Sequence, residues 1–141
     1  MSDSVRTVQF YPGKNTPMSP HLQVWKFTVT MAASITHRIT GVGNAIGMLV
    51  LTAWIGSAAI SDEAFNIVQG FLASPLGLIA LFGFTMSVMF HLANGLRYMF
   101  ADSGQGLGKF QARKTAWVAY AVSPVLTGII FWAAFTATGT N

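Results

Sequence analysis

Three stretches of this chain stay apolar long enough to cross a lipid bilayer, and short polar segments separate them. A hydrocarbon core about 30 Å thick takes about 20 helical residues to span. The first stretch runs from Thr30 to Ile60, with Gly41-Val42-Gly43-Asn44-Ala45-Ile46-Gly47-Met48-Leu49-Val50-Leu51 at its centre. The second runs from Asn66 to Phe100 and is broken near its start by Ser74-Pro75. The third runs from Thr115 to Ala137 with Pro124 inside it. Neighbours in a membrane bundle satisfy the carbonyl that a proline frees, so Pro124 reads as a kink and not as an end. The pattern predicts an all-α integral membrane protein with three transmembrane helices. Residues 1–29 form an N-terminal segment in this reading, and residues 30–141 form the membrane-embedded unit.

Composition agrees. Hydrophobic residues make up 52% of the chain and charged residues 9%, against about 25% charged in an ordinary soluble domain. Cysteine is absent, which excludes a disulfide framework, a thiolate metal site and a Cys nucleophile. A net charge of +4 in so apolar a chain orients it in a membrane and does not point to nucleic acid. Arg6, Lys14, Lys26 and Arg38 lie before or early in the first span, and Arg97, Lys109, Arg113 and Lys114 lie at or between the ends of the second and third. The loop between the first two spans holds Asp62 and Glu63 and no basic residue. The positive-inside rule then places the N-terminus in the cytoplasm (the matrix, in a mitochondrion) and the C-terminus outside. Met1 to Pro20 lacks the apolar core of a secretory signal and the basic content of a transit peptide, so the expected location is a bacterial cytoplasmic membrane. Gly43-x-x-x-Gly47 allows close helix approach and reads as packing inside the bundle.

Polar groups within apolar helices are the informative residues, because lipid makes them expensive unless they are paired or solvated. Ser34, His37, Arg38 and Gly41 share one arc of the first helix. Arg38 stays charged and must meet an anion, a carbonyl or water. Two readings are open: Arg38 reaches the interface while His37 bonds a backbone carbonyl, or the group lines a pocket for a ligand bearing carbonyl or carboxylate oxygens. His91, Asn94, Gly95, Tyr98 and Asp102 share an arc of the second helix. His91 is a hydrogen-bonded structural residue, part of a polar pathway, or a haem ligand offering a nitrogen lone pair to iron. Gly95, one turn away, leaves room for a flat macrocycle or for a neighbouring helix.

Taken together, the two clusters resemble a known family. Ser19-Pro20-His21-Leu22-Gln23-Val24-Trp25 followed by Ser34-Ile35-Thr36-His37-Arg38-Ile39-Thr40-Gly41 is similar to the signature SPHLxxY…SIxHRxTG. His91-x-x-Asn94-Gly95-Leu96-Arg97-Tyr98-x-x-x-Asp102 is similar to HxxNGIRHLxxD. Both signatures belong to the cytochrome b large membrane-anchor subunit of succinate dehydrogenase, and order, length and span layout agree. The resemblance implies half of a haem- and quinone-binding bundle. It implies that His91 is an axial ligand of haem b iron, the other coming from the small membrane-anchor subunit. It implies that Ser34 and Arg38 bind ubiquinone and that His37 lies near the haem propionates, with Tyr98 beside it. Ser19, Pro20 and His21 would pack under the iron–sulfur subunit, which in turn carries the flavoprotein subunit. Tyr98 stands where the family has histidine, and Trp25 where it has tyrosine. Tyr98 keeps a hydrogen-bonding tip for a propionate or water, but it cannot act as a cation.

The implied activity is succinate:ubiquinone oxidoreduction. The flavoprotein would oxidise succinate, and this chain would tether it, share the haem and hold the quinone. Ser34 would hydrogen-bond a quinone carbonyl, and Arg38 would stabilise negative charge as the quinone is reduced. Partner subunits would supply the proton-donating groups. A quinol:fumarate reductase anchor is the alternative within this class. A haem-free structural anchor and a small transporter subunit are alternatives outside it. Asp3, Asp62, Glu63 and Asp102 all fall at termini, loops or span ends, which argues against proton-coupled transport.

Overall fold

The computed structural model describes residues 25–139. The run from Ser19 to Val24, and the docking role expected of it, lie outside the described residues. The described chain is helical, with α1 at Val29–Ile60, α2 at Asp62–Ala73, α3 at Pro75–Asp102 and α4 at Lys109–Thr138. Of these, α1, α3 and α4, with 32, 28 and 30 residues, are long and apolar enough to cross a membrane. At about 1.5 Å per residue each exceeds a core about 30 Å thick, so their ends reach the polar interfaces.

Local chemistry sets where the helices begin and end. The Thr28 hydroxyl accepts from the Met31 N–H at 3.4 Å and opens α1. Ser61 serves two helices: its N–H donates to the Ser57 carbonyl to close α1, and its Oγ accepts from the Ala64 N–H at 3.1 Å to open α2. Asp62 and Glu63 in the first turn of α2 favour that end of the helix dipole.

The stretch expected as one span from Asn66 to Phe100 is two helices. Ser74 is extended (ψ 159°), as the residue before a proline tends to be, and Pro75 stands at the first position of α3. The Ser74 hydroxyl then accepts from the Gly77 N–H at 3.2 Å. With 12 residues, α2 covers about 18 Å and cannot span. It folds back on α1, where Trp54 Nε1 donates to Gln69 Oε1 at 2.9 Å. The spanning segment therefore begins at Pro75. Pro124 lies inside α4 without ending it.

The three long helices run alternately up and down. Pairs His37–His91 and Gly47–Phe84 align α1 antiparallel to α3. Phe90–Tyr120 and Phe82–Phe131 do the same for α3 and α4. Thr36 and Tyr120 share a 2.9 Å hydroxyl bond between α1 and α4. The buried side chains are mostly small: Ala33, Ala116 and Ala119 around Phe90, with Ser57, Asn94, Ser123 and Thr127. Small residues let helices approach closely where lipid provides no hydrophobic drive for association. The hydroxyls of Ser123 and Thr127 donate to the carbonyls of Ala119 and Ser123 within α4, at 2.6 and 2.9 Å. Large apolar residues such as Ile39, Leu49, Ile79 and Trp132 face outward, each about two-thirds exposed or more. This is the inverse of a soluble protein.

The paired glycines of α1 pack inside the chain. A Cβ at Gly47 would overlap the Phe84 ring, and one at Gly43 would lie 3.8 Å from Ser87 Oγ. The α3–α4 turn uses glycine for its backbone, with Gly104 at φ 82° and Gly106 at φ 73°. Lys26, Arg38, Arg97, Lys109, Arg113 and Lys114 all gather at the end of the bundle that holds this turn, and Asp62 and Glu63 sit at the other.

Candidate functional site

Two histidines far apart in sequence meet near the basic end of the bundle. The His37 and His91 rings stack with centroids 3.9 Å apart and planes 11° apart. The Tyr98 ring stands edge-on to His37 at 5.4 Å and 73°. Gly41 gives His91 its place on α1, since a Cβ there would lie 3.2 Å from His91 Cε1. Gly95 plays the reciprocal part on α3, where a Cβ would lie 3.7 Å from His37 Nε2.

The hydrogen bonds decide the chemistry of His91. Its Nδ1 lies 3.2 Å from the His37 carbonyl oxygen. A carbonyl can only accept, so Nδ1 carries the proton and donates. In the neutral ring Nε2 then keeps its lone pair. Nδ1 is also 3.3 Å from Thr40 Oγ1, and Thr40 Oγ1 donates to the same His37 carbonyl at 3.0 Å. A histidine that binds metal through one nitrogen almost always donates from the other to a carbonyl, carboxylate or water. The arrangement therefore fits a metal ligand at Nε2, and the stacked His37 covers a ring face and leaves the nitrogen edge free.

His37 Nε2 is buried and has no hydrogen-bond partner among the described residues. A polar atom so placed costs free energy unless something outside this chain meets it. Its position beside the His91 ring suits an acidic oxygen of a bound group.

The arcs expected from helical spacing divide in three dimensions. His37 and Gly41 face α3. Arg38 is exposed on the outward side of α1, where it lines a shallow depression of about 510 Å3 with Ile39, Val42, Gly43 and Ile46. Ser34 is half-buried. On α3, Asn94 is turned into the core, where its Oδ1 accepts from Arg97 Nη1 at 3.3 Å and its Nδ2 has no partner among the described residues. Arg97 Nε donates to Thr115 Oγ1 at 3.1 Å and ties α3 to α4. Asp102 is exposed at the helix end. The larger cleft, about 670 Å3 between α1, α2 and α3, is lined by Gly47, Trp54, Leu72 and Phe84 and holds no titratable group.

Thr40, Asn44 and Ser87 were not among the expected site residues. Ser87 Oγ donates to Asn44 Oδ1 at 2.7 Å and lies 3.3 Å from the Thr40 carbonyl, so a polar seam continues from His91 toward the middle of the bundle. The spacing carried a signal: Thr40 and Asn44 stand three and seven residues after His37, and Ser87 one turn before His91.

Comparison with known proteins gives the context for this site. The family model of the succinate dehydrogenase/fumarate reductase transmembrane subunit matches residues 12–130. The chain is 39% identical over 121 residues to the succinate dehydrogenase cytochrome b556 subunit of Paracoccus denitrificans, covering 84% of this chain and 93% of that protein. It is 34% identical over 117 residues to the protein of the same description in Rickettsia prowazekii (strain Madrid E), covering 82% and 90%. The mitochondrial succinate dehydrogenase cytochrome b560 subunit of Sus scrofa is 32% identical over 97 residues, 67% of this chain and 57% of its own length. With three membrane-length helices and a matched region that takes in both histidines, the chain belongs to the succinate dehydrogenase/fumarate reductase transmembrane subunit family, among its membrane-anchor cytochrome b subunits.

Proposed function

We propose that this chain anchors a succinate:ubiquinone oxidoreductase in a bacterial cytoplasmic membrane, ligates haem b through His91 Nε2 and forms part of the quinone site with Ser34 and Arg38. The observation that carries the reading is the hydrogen bond between His91 Nδ1 and the His37 carbonyl, which leaves a lone pair on Nε2. Haem b, when bound, takes up and returns single electrons. His91 orients it, and His37 Nε2 and Tyr98 stand where they would meet its propionates. The small anchor subunit would supply the other ligand. The basic end of the bundle faces the cytoplasm, which puts Arg38 and Ser34 beneath the iron–sulfur subunit and its flavoprotein partner.

The side chains of Ser34 and Arg38 make no hydrogen bond or ion pair with the other described residues, which leaves both for a ligand. A serine hydroxyl donates to a quinone carbonyl. A permanently charged guanidinium nearby stabilises negative charge as the head group is reduced. The site is on α1 and the expected haem ligand is on α3, so the two functions separate by substitution. Succinate oxidation is favoured over fumarate reduction by the relatives, which are described as succinate dehydrogenase subunits.

The test is made on the complex purified from native membranes by a tag on this chain. With Arg38→Leu, succinate-dependent ubiquinone reduction falls at least tenfold while succinate-dependent dye reduction and haem absorbance persist. With His91→Leu, the low-spin haem absorbance is lost while the flavoprotein is retained. Ubiquinone reduction at the wild-type rate in both Ser34→Ala and Arg38→Leu, in intact complex, would remove the quinone from this site.

A further inference from the structure

Among the described residues, four threonines satisfy their hydroxyls entirely within their own helix. Thr52, Thr85, Thr136 and Thr138 each donate only to carbonyls of the preceding turn, the usual arrangement where no other partner exists. Thr40 is different. Its hydroxyl donates to the His37 carbonyl at 3.0 Å, and the same oxygen lies 3.3 Å from Nδ1 of His91 on another helix. A threonine hydroxyl has one proton and two lone pairs. With the proton committed to the carbonyl, a lone pair is left for the Nδ1–H of His91, so that N–H is shared between two oxygens.

The surroundings hold this geometry. Thr40 is β-branched and has few rotamers in a helix. Its carbonyl is approached at 3.3 Å by Ser87 Oγ, which also donates to Asn44 Oδ1. Ser87 thus bonds α3 to α1 chiefly at Asn44, one turn from His91 on its own helix, and makes no hydrogen bond to the imidazole. Gly41 next door admits the His91 ring against α1.

We infer that Thr40 is a positioning residue for the His91 ligand: its hydroxyl holds the ring's orientation and fixes the proton on Nδ1, which makes Nε2 a stronger electron donor. The inference rests on the reading of His91 as a haem ligand. Groups that accept from the remote nitrogen of a ligating histidine raise its basicity, and a more basic ligand favours the oxidised metal. Removing one of the two acceptors therefore raises the reduction potential. A threefold loss of preference for the oxidised form corresponds to about 28 mV, at 59 mV per tenfold change in a one-electron couple.

The experiment is a redox titration of the haem in the intact complex, with the haem-to-protein ratio after purification as a second readout. Thr40→Val keeps the shape and removes the hydroxyl, Thr40→Ser keeps the hydroxyl, and Ser87→Ala removes interhelical bonds that do not reach His91. The expected result is a rise of about 28 mV in Thr40→Val, a potential close to wild type in Thr40→Ser, and none of the Thr40→Val shift in Ser87→Ala. An unchanged potential in Thr40→Val would overturn the inference, as would an equal shift in Ser87→Ala, which would trace the effect to general packing. If Thr40→Val carries no haem, Thr40→Ser decides: haem at the wild-type potential supports the hydroxyl's role, and loss of haem assigns the role to the methyl group. Retention of low-spin haem by His91→Leu would instead refute the ligand reading on which the inference stands.

Discussion

Gly47→Ala places a methyl group where the Phe84 ring lies, because a Cβ there would overlap two atoms of that ring and crowd a third. The ring cannot be pushed aside as the tip of a flexible chain would be, so α1 and α3 must separate or Phe84 must leave its rotamer. Overpacking of this kind costs about 1–3 kcal/mol. In a soluble helix, alanine would return about 1 kcal/mol through its better helix propensity. Here that gain drops out, since a helix in lipid stays hydrogen-bonded whether or not it is packed. The expected net effect is a loss of about 1–3 kcal/mol, a shift of roughly 5- to 150-fold in the packing equilibrium, at 1.4 kcal/mol per decade. The chain has no cysteine, so labels at Leu49→Cys and Ile79→Cys, both exposed positions on this chain, report α1–α3 separation as SDS is titrated into mixed micelles of the complex. Phe84→Leu removes the ring edge and relieves the overlap, so the two substitutions couple favourably by 1 kcal/mol or more. If Gly47→Ala shifts the transition equally in the Phe84→Leu background, within the roughly 0.3–0.5 kcal/mol expected of independent sites, the contact is not the cause and the argument fails.

Two further outcomes are expected. Gly41→Ala puts a methyl 3.2 Å from His91 Cε1, closer than ordinary contact, so the ring shifts by a few tenths of an ångström. In the purified complex the haem-to-protein ratio drops, and an undiminished ratio with an unaltered haem spectrum would show that the ring tolerates the crowding. Ser61→Ala removes the cap of α2 that accepts from the Ala64 N–H and weakens that helix by about 1 kcal/mol. Hydrogen exchange at Ala64 then quickens about fivefold while α3 is unaffected, and equal protection in both proteins would mean that packing on Trp54, not the cap, holds the first turn.

Much of this architecture follows from the order of residues alone. Apolar runs of this length are satisfied as membrane-spanning helices, and the Lys and Arg residues fall at one end of the bundle. Helical spacing also put His37 with Gly41 and His91 with Gly95, because a periodicity of 3.6 residues is a local property. Local reasoning erred where contiguity of apolar residues outweighed a stop signal: Ile67, Val68, Phe71 and Leu72 read as the start of a span, yet Ser74 and Pro75 end that helix and begin another. The arc of Ser34, His37, Arg38 and Gly41 was also read as one surface, and the structure gives its two edges different neighbours.

Tertiary structure alone decided what each polar side chain meets. His37 stacks on a ring 54 positions away and gives its carbonyl to Nδ1 of that ring. Thr40 and Ser87 join the site from opposite helices, 47 positions apart. Such pairings depend on how far α1 slides and turns against α3, and that register is set by Phe84 seating on Gly47 and His91 on Gly41. A spacing rule describes one helix at a time, so it names the groups on each face. The close packing of two helices selects which of those groups touch, and hence which nitrogen of His91 keeps its proton.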